Sequence, residues 1–276
     1  MHNKSLMARL MAAPHVVWSV LFILAPLAFV FYYAFTDKTG AFTLNNVKEL
    51  GSASYLDIFT RSLCFALAAT AICLLVAYPL AYAISRAKPR SQKICIMLTM
   101  LPMWMNFLIR TYSIMAILED TGFLNSLLGR IGLPPLHIIN TGGAVIFGMV
   151  YNYLPYMVLP IYTVLSKLDN RLLEASADLG CTPMQTFFKV VMPLSRSGVV
   201  SGVTMVFVPS VSTFYISQKL GGGKFQLIGD VIERQFQSAY NYNLGAAMSL
   251  VLMVLILLSL AVMNRYSDEG EGGLVA

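Results

Sequence analysis

The sequence predicts an all-α integral membrane protein with about six transmembrane helices. Six apolar windows recur along the chain, each near the ~20 residues that a helix needs to cross a bilayer. Of the 276 residues, 57% are hydrophobic and only 12% charged, against the ~25% charge that a water-facing domain carries. Lys and Arg gather in short clusters between alternate windows. Helices follow from the solvent, because an unpaired backbone group in lipid costs several kcal/mol.

The windows fall at 16–35, 63–85, 94–118, 144–165, 199–216 and 246–263. The first follows Lys4 and Arg9, as a signal peptide would, yet it is long enough to span and no small-residue cleavage site follows. It reads as a retained first helix. The third and fifth are less uniform, holding Pro102 and Arg110 in one and Pro209 in the other. The chain reads as a single transmembrane domain over 1–276.

Orientation follows from the cations. Lys4, Arg9, Arg86, Lys88, Arg90, Lys93, Lys167, Arg171, Lys189, Arg196 and Arg265 fall in one set of alternate segments. The loop Arg86-Ala-Lys-Pro-Arg-Ser-Gln-Lys93 weighs most, since short loops decide topology. Both termini are therefore expected in the cytoplasm. The net charge of +6 is read as this topology signal and not as a nucleic-acid footprint. Cys64, Cys73, Cys95 and Cys181 lack metal-ligand or disulfide spacing and read as small hydrophobes. An intramembrane enzyme would need a catalytic pair at shared depth, but no window holds an acid and His2, His15 and His137 lie near ends or loops. A stand-alone channel or secondary transporter is disfavoured too, because only Arg110 is an intramembrane ionisable group.

The segment 166–196 is too polar to span and lies on the predicted cytoplasmic side. It reads as two short helices: Asp169 or Asn170 caps the first, Gly180 supplies a left-handed terminus, and Thr182-Pro183-Met184-Gln185 forms a capping box. Pro193 ends the second. Glu174-Ala175-Ser176, three residues, Gly180, nine residues, then Val190-Val191-Met192-Pro193 resembles the EAA loop of ABC importer permeases. The departures are Ser for the second Ala, Val for Ile and Met for Leu. The resemblance implies a type I ABC importer permease arrangement whose cytoplasmic loop seats in a cleft of an ATPase subunit. Carried over by position, Glu174, Ala175, Ser176, Asp178, Gly180 and Pro193 are the coupling residues. This chain then binds no cofactor; ATP and Mg sit on the partner ATPase, since no G-x-x-x-x-G-K-[ST] loop occurs here.

The resemblance extends over nearly the whole chain to permeases of spermidine/putrescine importers, through Leu101-Pro-Met-Trp-Met-Asn-Phe-Leu-Ile-Arg-Thr-Tyr112, Leu172–Gly180 and Gly222–Phe236. It implies ATP-driven polyamine import in the bacterial inner membrane, with a second, different permease, an ATPase dimer and an external polyamine-binding protein. The same machine with another cargo, such as another organic cation, an opine or ferric iron, stays open. Trp104 and Asn106 fall near mid-membrane by helical rise, and Tyr151, Asn152, Tyr153 and Tyr156 share that depth. With Tyr112 they are expected to offer aromatic and polar wall to ammonium groups. Arg110 is expected to act in gating or in a structural ion pair. Because no acid lies in the windows, the carboxylates that neutralise a polycation are expected from the partner permease. Asp230 and Glu233 read as a solvated face.

Overall fold

The computed structural model describes residues 13–271; the cations Lys4 and Arg9 lie outside the described residues. The described residues are helical throughout apart from loops and one isolated bridge, Thr36 to Phe42. In chain order the helices are α1 (Ala13–Ala34), α2 (Asn45–Glu49), α3 (Ala53–Arg86), α4 (Pro89–Met100), α5 (Phe107–Leu118), α6 (Phe123–Arg130), α7 (Gly142–Leu165), α8 (Asn170–Asp178), α9 (Pro183–Leu194), α10 (Arg196–Ser212), α11 (Tyr215–Leu220), α12 (Ile228–Gln237) and α13 (Tyr242–Glu271).

Four stretches are individually long and apolar enough to cross a bilayer: Ala13–Ala34, Ala53–Ser85, Gly142–Leu165 and Tyr242–Met263. Two bent pairs bring the number to six if each is one span. Helix α3 starts at Ala53, ten residues before its apolar window. At 1.5 Å per residue its 34 residues run about 51 Å, well beyond a hydrocarbon core of about 30 Å.

The third and fifth windows differ from the sequence expectation of unbroken spans. Pro89–Trp104 and Phe107–Arg130 meet at an angle of 94°. The residues explain the break. Pro102 lacks a donor and sits in a 3₁₀ turn, Leu101–Trp104, after which Met105 is extended. Asn106 then caps a new helix, its side chain accepting from the amides of Leu108 at 2.8 Å and Ile109 at 3.4 Å. In the fifth window α10 stops at Ser212, Thr213 is extended, and α11 begins at Tyr215. A second bend, of 66°, separates Pro183–Leu194 from Arg196–Ser212.

The chain forms two compact units. One takes in residues up to Asp57 together with Val231–Leu255. Here the Asn243 amide donates to the carbonyls of Thr36 at 2.7 Å and Tyr33 at 3.2 Å, closing the end of α1. In the loop after α1, the Asp37 carboxylate accepts from the Thr39 hydroxyl, the Thr39 amide and the Ala41 amide.

The other unit takes in Ile58–Asp230 and residues from Ile256 onward. Its core centres on α7, where Met149, Met157, Ile161 and Leu165 are fully buried. Helix α10 approaches α7 through Gly198 and Gly202. A Cβ at Gly198 would lie 2.9 Å from the Pro160 carbonyl oxygen, and one at Gly202 2.7 Å from Met157 Sδ. In lipid no hydrophobic effect drives helix association, so close backbone approach through small residues supplies it. Cys73 is buried in this core as a small hydrophobe, and all four cysteines are free.

Candidate functional site

Two constructions stand out, and both belong wholly to the larger unit. The first is the hairpin α8–α9. Asp169 caps α8 by accepting from the Arg171 amide at 3.0 Å. The helix closes on Gly180, whose φ of +80° an L side chain rarely adopts. The Gly180 amide bonds the Ala177 carbonyl at 2.9 Å and the Cys181 amide bonds that of Ser176 at 3.0 Å, a Schellman ending. Thr182 and Gln185 then form a reciprocal capping box.

The two arms are tied by a hydroxyl pair, Ser176 to Thr186, at 2.8 Å. Glu174, Ala175, Asp178, Gly180 and Pro193 are exposed, as are the apolar Leu179 and Met184. Ser176, by contrast, is buried. Its hydroxyl braces the hairpin, so it acts on the exposed face only through that brace. Pro193 does not end α9, which continues to Leu194 before the chain bends.

The hairpin is fixed to the membrane-crossing helix α3. Phe187 stands edge-on to Tyr78 and to Tyr82, with ring centroids 5.5 and 5.4 Å away. Tyr78 pairs its hydroxyl with Ser195 at 2.6 Å. Arg86 donates from Nη1 to Asn170 Oδ1 at 2.8 Å, and its guanidinium lies over the Tyr82 ring at 5.6 Å. Edge-to-face rings resist sliding because quadrupole geometry is specific. The hairpin is thus held to α3 by aromatic contacts and hydrogen bonds.

The second construction lies at the break in the third window. Arg110 is buried and donates from Nη1 to the Pro102 carbonyl at 2.8 Å, across the bend. The sequence suggests gating or an ion pair; the structure gives the guanidinium a backbone carbonyl and the Phe107 ring at 5.9 Å, and its Nε has no partner. Arg110 and Tyr151 share the lining of a cavity of about 280 Å³ with Met105, Ser113 and Phe147. A second cavity, of about 420 Å³, is bounded by Phe107, Leu108, Tyr153, Thr213, Phe214 and Tyr215.

This chain matches, over residues 5–269, the family described as binding-protein-dependent transport system inner membrane component. The chain belongs to that family. As such it is a transport component of the inner membrane and not an enzyme. It is 38% identical over 256 residues to the spermidine/putrescine transport system permease protein PotB of Haemophilus influenzae, covering 90% of each chain. To PotB of Salmonella typhimurium it is 36% identical over 275 residues, covering 97% of this chain and 96% of the relative. The fold is shared with the crystal structure of a bacterial ABC transporter that imports the acidic polysaccharide alginate, with a TM-score of 0.78, 16% identity, and coverage of 97% of this chain and 96% of that one.

Within this permease the expected wall residues do not act as one group. Tyr151, Tyr153 and Arg110 face the two cavities. Trp104 is 76% exposed and lines neither cavity. Asn106 is exposed, but its side-chain oxygen is committed to the α5 cap. Asn152 is fully buried: its amide donates to the Gly148 carbonyl at 2.8 Å, and its Oδ1 has no partner. It packs inside the bundle and lines neither cavity. Tyr156 is 39% exposed with its ring 6.5 Å from that of Tyr153. Tyr112 meets Tyr215 edge-on, centroids 6.0 Å apart, and both rings carry the Lys219 ammonium. Tyr215 and Lys219 escaped the sequence reading, although their i, i+4 spacing places them on one face of a short helix. Asp230, read from sequence as solvated, is buried and accepts from Ser217 Oγ at 2.9 Å and the Leu227 amide at 2.8 Å.

Proposed function

We propose that this chain is one permease half of an ATP-driven importer of polyamines, working with a second permease, an ATPase dimer and an external binding protein. The observation that carries the cargo is the likeness, at 36–38% identity over nine-tenths of the chain or more, to relatives named as spermidine/putrescine permeases. Both termini are placed in the cytoplasm, where the exposed face of Glu174, Ala175, Asp178 and Gly180 docks the ATPase. ATP and Mg belong to that partner.

Nucleotide-driven movement of the ATPase pushes α8–α9, and Phe187 passes the push to Tyr78 and Tyr82 on α3. The polyamine crosses beside the broken third window. Aromatic faces there hold ammonium groups, each contact contributing about 0.5–2 kcal/mol. Carboxylates of the partner permease neutralise the charge. Arg110 keeps the break in shape through its bond to Pro102.

The test begins with co-purification, which must bring down an ATPase and a second permease. Reconstituted in liposomes with its binding protein, the complex must then take up spermidine or putrescine on ATP hydrolysis. Uptake of an opine or ferric iron instead would reassign the cargo and leave the coupling intact. Trp104→Ala probes the wall: unchanged uptake at limiting substrate removes Trp104 from the pathway.

A further inference from the structure

Lys219 presents an unusual environment for a cation. Its ammonium nitrogen stands 5.2 Å from the centre of the Tyr112 ring and 5.7 Å from that of Tyr215. The two rings are set edge-on, 6.0 Å apart at 83°, so that a single ammonium reaches both. Phe107 lies 6.0 Å beyond Tyr215, and Phe107 and Tyr215 bound the cavity of about 420 Å³. Among the described residues, no carboxylate pairs with Lys219. The Tyr112 hydroxyl also hydrogen-bonds with Lys219 and with Tyr215, so two tyrosine rings and a phenol oxygen surround one ammonium at the edge of a cavity, the kind of cage that recognises amine ligands.

We propose that Lys219 is a tethered surrogate for a substrate ammonium, filling the Tyr112–Tyr215 cage until an entering polycation displaces it. This rests on the polyamine reading and deepens it, by naming a site for one primary ammonium group and the residue that competes for it. The cage holds one ammonium, and a second is repelled by the first. Lys219 therefore raises the concentration at which an amine is accepted. A ligand with a single weakly held ammonium fails to displace it, whereas a polyamine anchored elsewhere by its other charges succeeds. The tether also returns the ammonium to the cage after release, opposing backward entry.

The assembled importer in lipid nanodiscs, without nucleotide or binding protein, is titrated with radiolabelled spermidine. Lys219→Met removes the competing charge at similar length and is expected to tighten binding about three- to tenfold, the range one displaced ammonium–ring contact supports. Lys219→Arg keeps a cation that rings accept and is expected to bind like the parent. Tyr112→Leu in the Lys219→Met background removes the cage and should abolish the gain. Loss of a merely structural contact does not improve affinity. Unchanged or weaker binding by Lys219→Met, in a complex that still co-purifies, overturns the proposal. Uptake of spermidine by the parent complex in liposomes is measured alongside. Its absence overturns the polyamine reading itself, and the proposal with it.

Discussion

Gly198→Ala adds one methyl group where α10 touches α7, and the structure fixes what that methyl meets. The new Cβ would lie 2.9 Å from the Pro160 carbonyl oxygen, 3.0 Å from Val164 Cγ2 and 3.2 Å from Ile161 Cα. Ordinary carbon contacts begin near ~3.5 Å, so the helices must separate by roughly 0.5 Å. Two of the three neighbours are backbone atoms of α7 and cannot rotate away. Overpacking of this kind costs about 1–3 kcal/mol. Alanine returns up to about 1 kcal/mol of helix propensity, leaving a net loss of about 0–2 kcal/mol. Gly129 on α6 supplies the control, because a Cβ there meets nothing within 4 Å. Gly129→Ala keeps the propensity gain alone, so the two variants should differ by about 1–3 kcal/mol in opposite directions. Thermal unfolding of the purified complex reads this, at about 2–4 °C per kcal/mol for a chain of this size. If Gly198→Ala melts at or above Gly129→Ala, the close approach of α7 and α10 is wrong.

Phe187→Ala removes the ring between Tyr78 and Tyr82 and should uncouple the complex: ATP hydrolysis persists while polyamine uptake falls at least about fivefold, given that each aromatic pair alone is worth about 0.5–1.5 kcal/mol. Parallel loss of both activities would mean that the ring holds the fold and not the linkage. At Gly180 the cost is purely conformational, since a Cβ meets nothing within 4 Å; Gly180→Asn should keep most uptake, while Gly180→Val, with a branched side chain at positive φ, should cost more than the ~1–2 kcal/mol of a left-handed residue. Asp37 is held below its ordinary value, chiefly by the Thr39 hydroxyl and then by the amides of Thr39, Ala41 and Gly40. With the folded pKa depressed, the loop's stabilisation is complete above the unfolded value of about 4 and lost as pH falls through the folded one. Amide exchange at Thr39 and Ala41 should therefore accelerate, relative to the rest of the loop, only below about pH 4, and Asp37→Asn should remove that pH dependence.

Composition and local pattern already carry the solvent and most of the helices. Apolar windows and clustered cations report transfer free energies, which add residue by residue and need no neighbour in space. The hairpin caps at Asp169, Gly180 and Thr182 were equally legible, because capping bonds close within a few residues. Pro102 and Asn106 carried the signal for the break in the third window, but a hydropathy average passes over a capping side chain. That Gly198 and Gly202 meet the backbone of α7, that Phe187 wedges against α3, and that Ser176 turns inward while Glu174 faces out emerges from the packed fold alone. The same holds for the cage, whose rings come from positions more than a hundred residues apart. Such sites depend on which helix faces meet at what distance. In lipid that is settled by packing between helices of similar apolarity, which leaves little trace in composition or period.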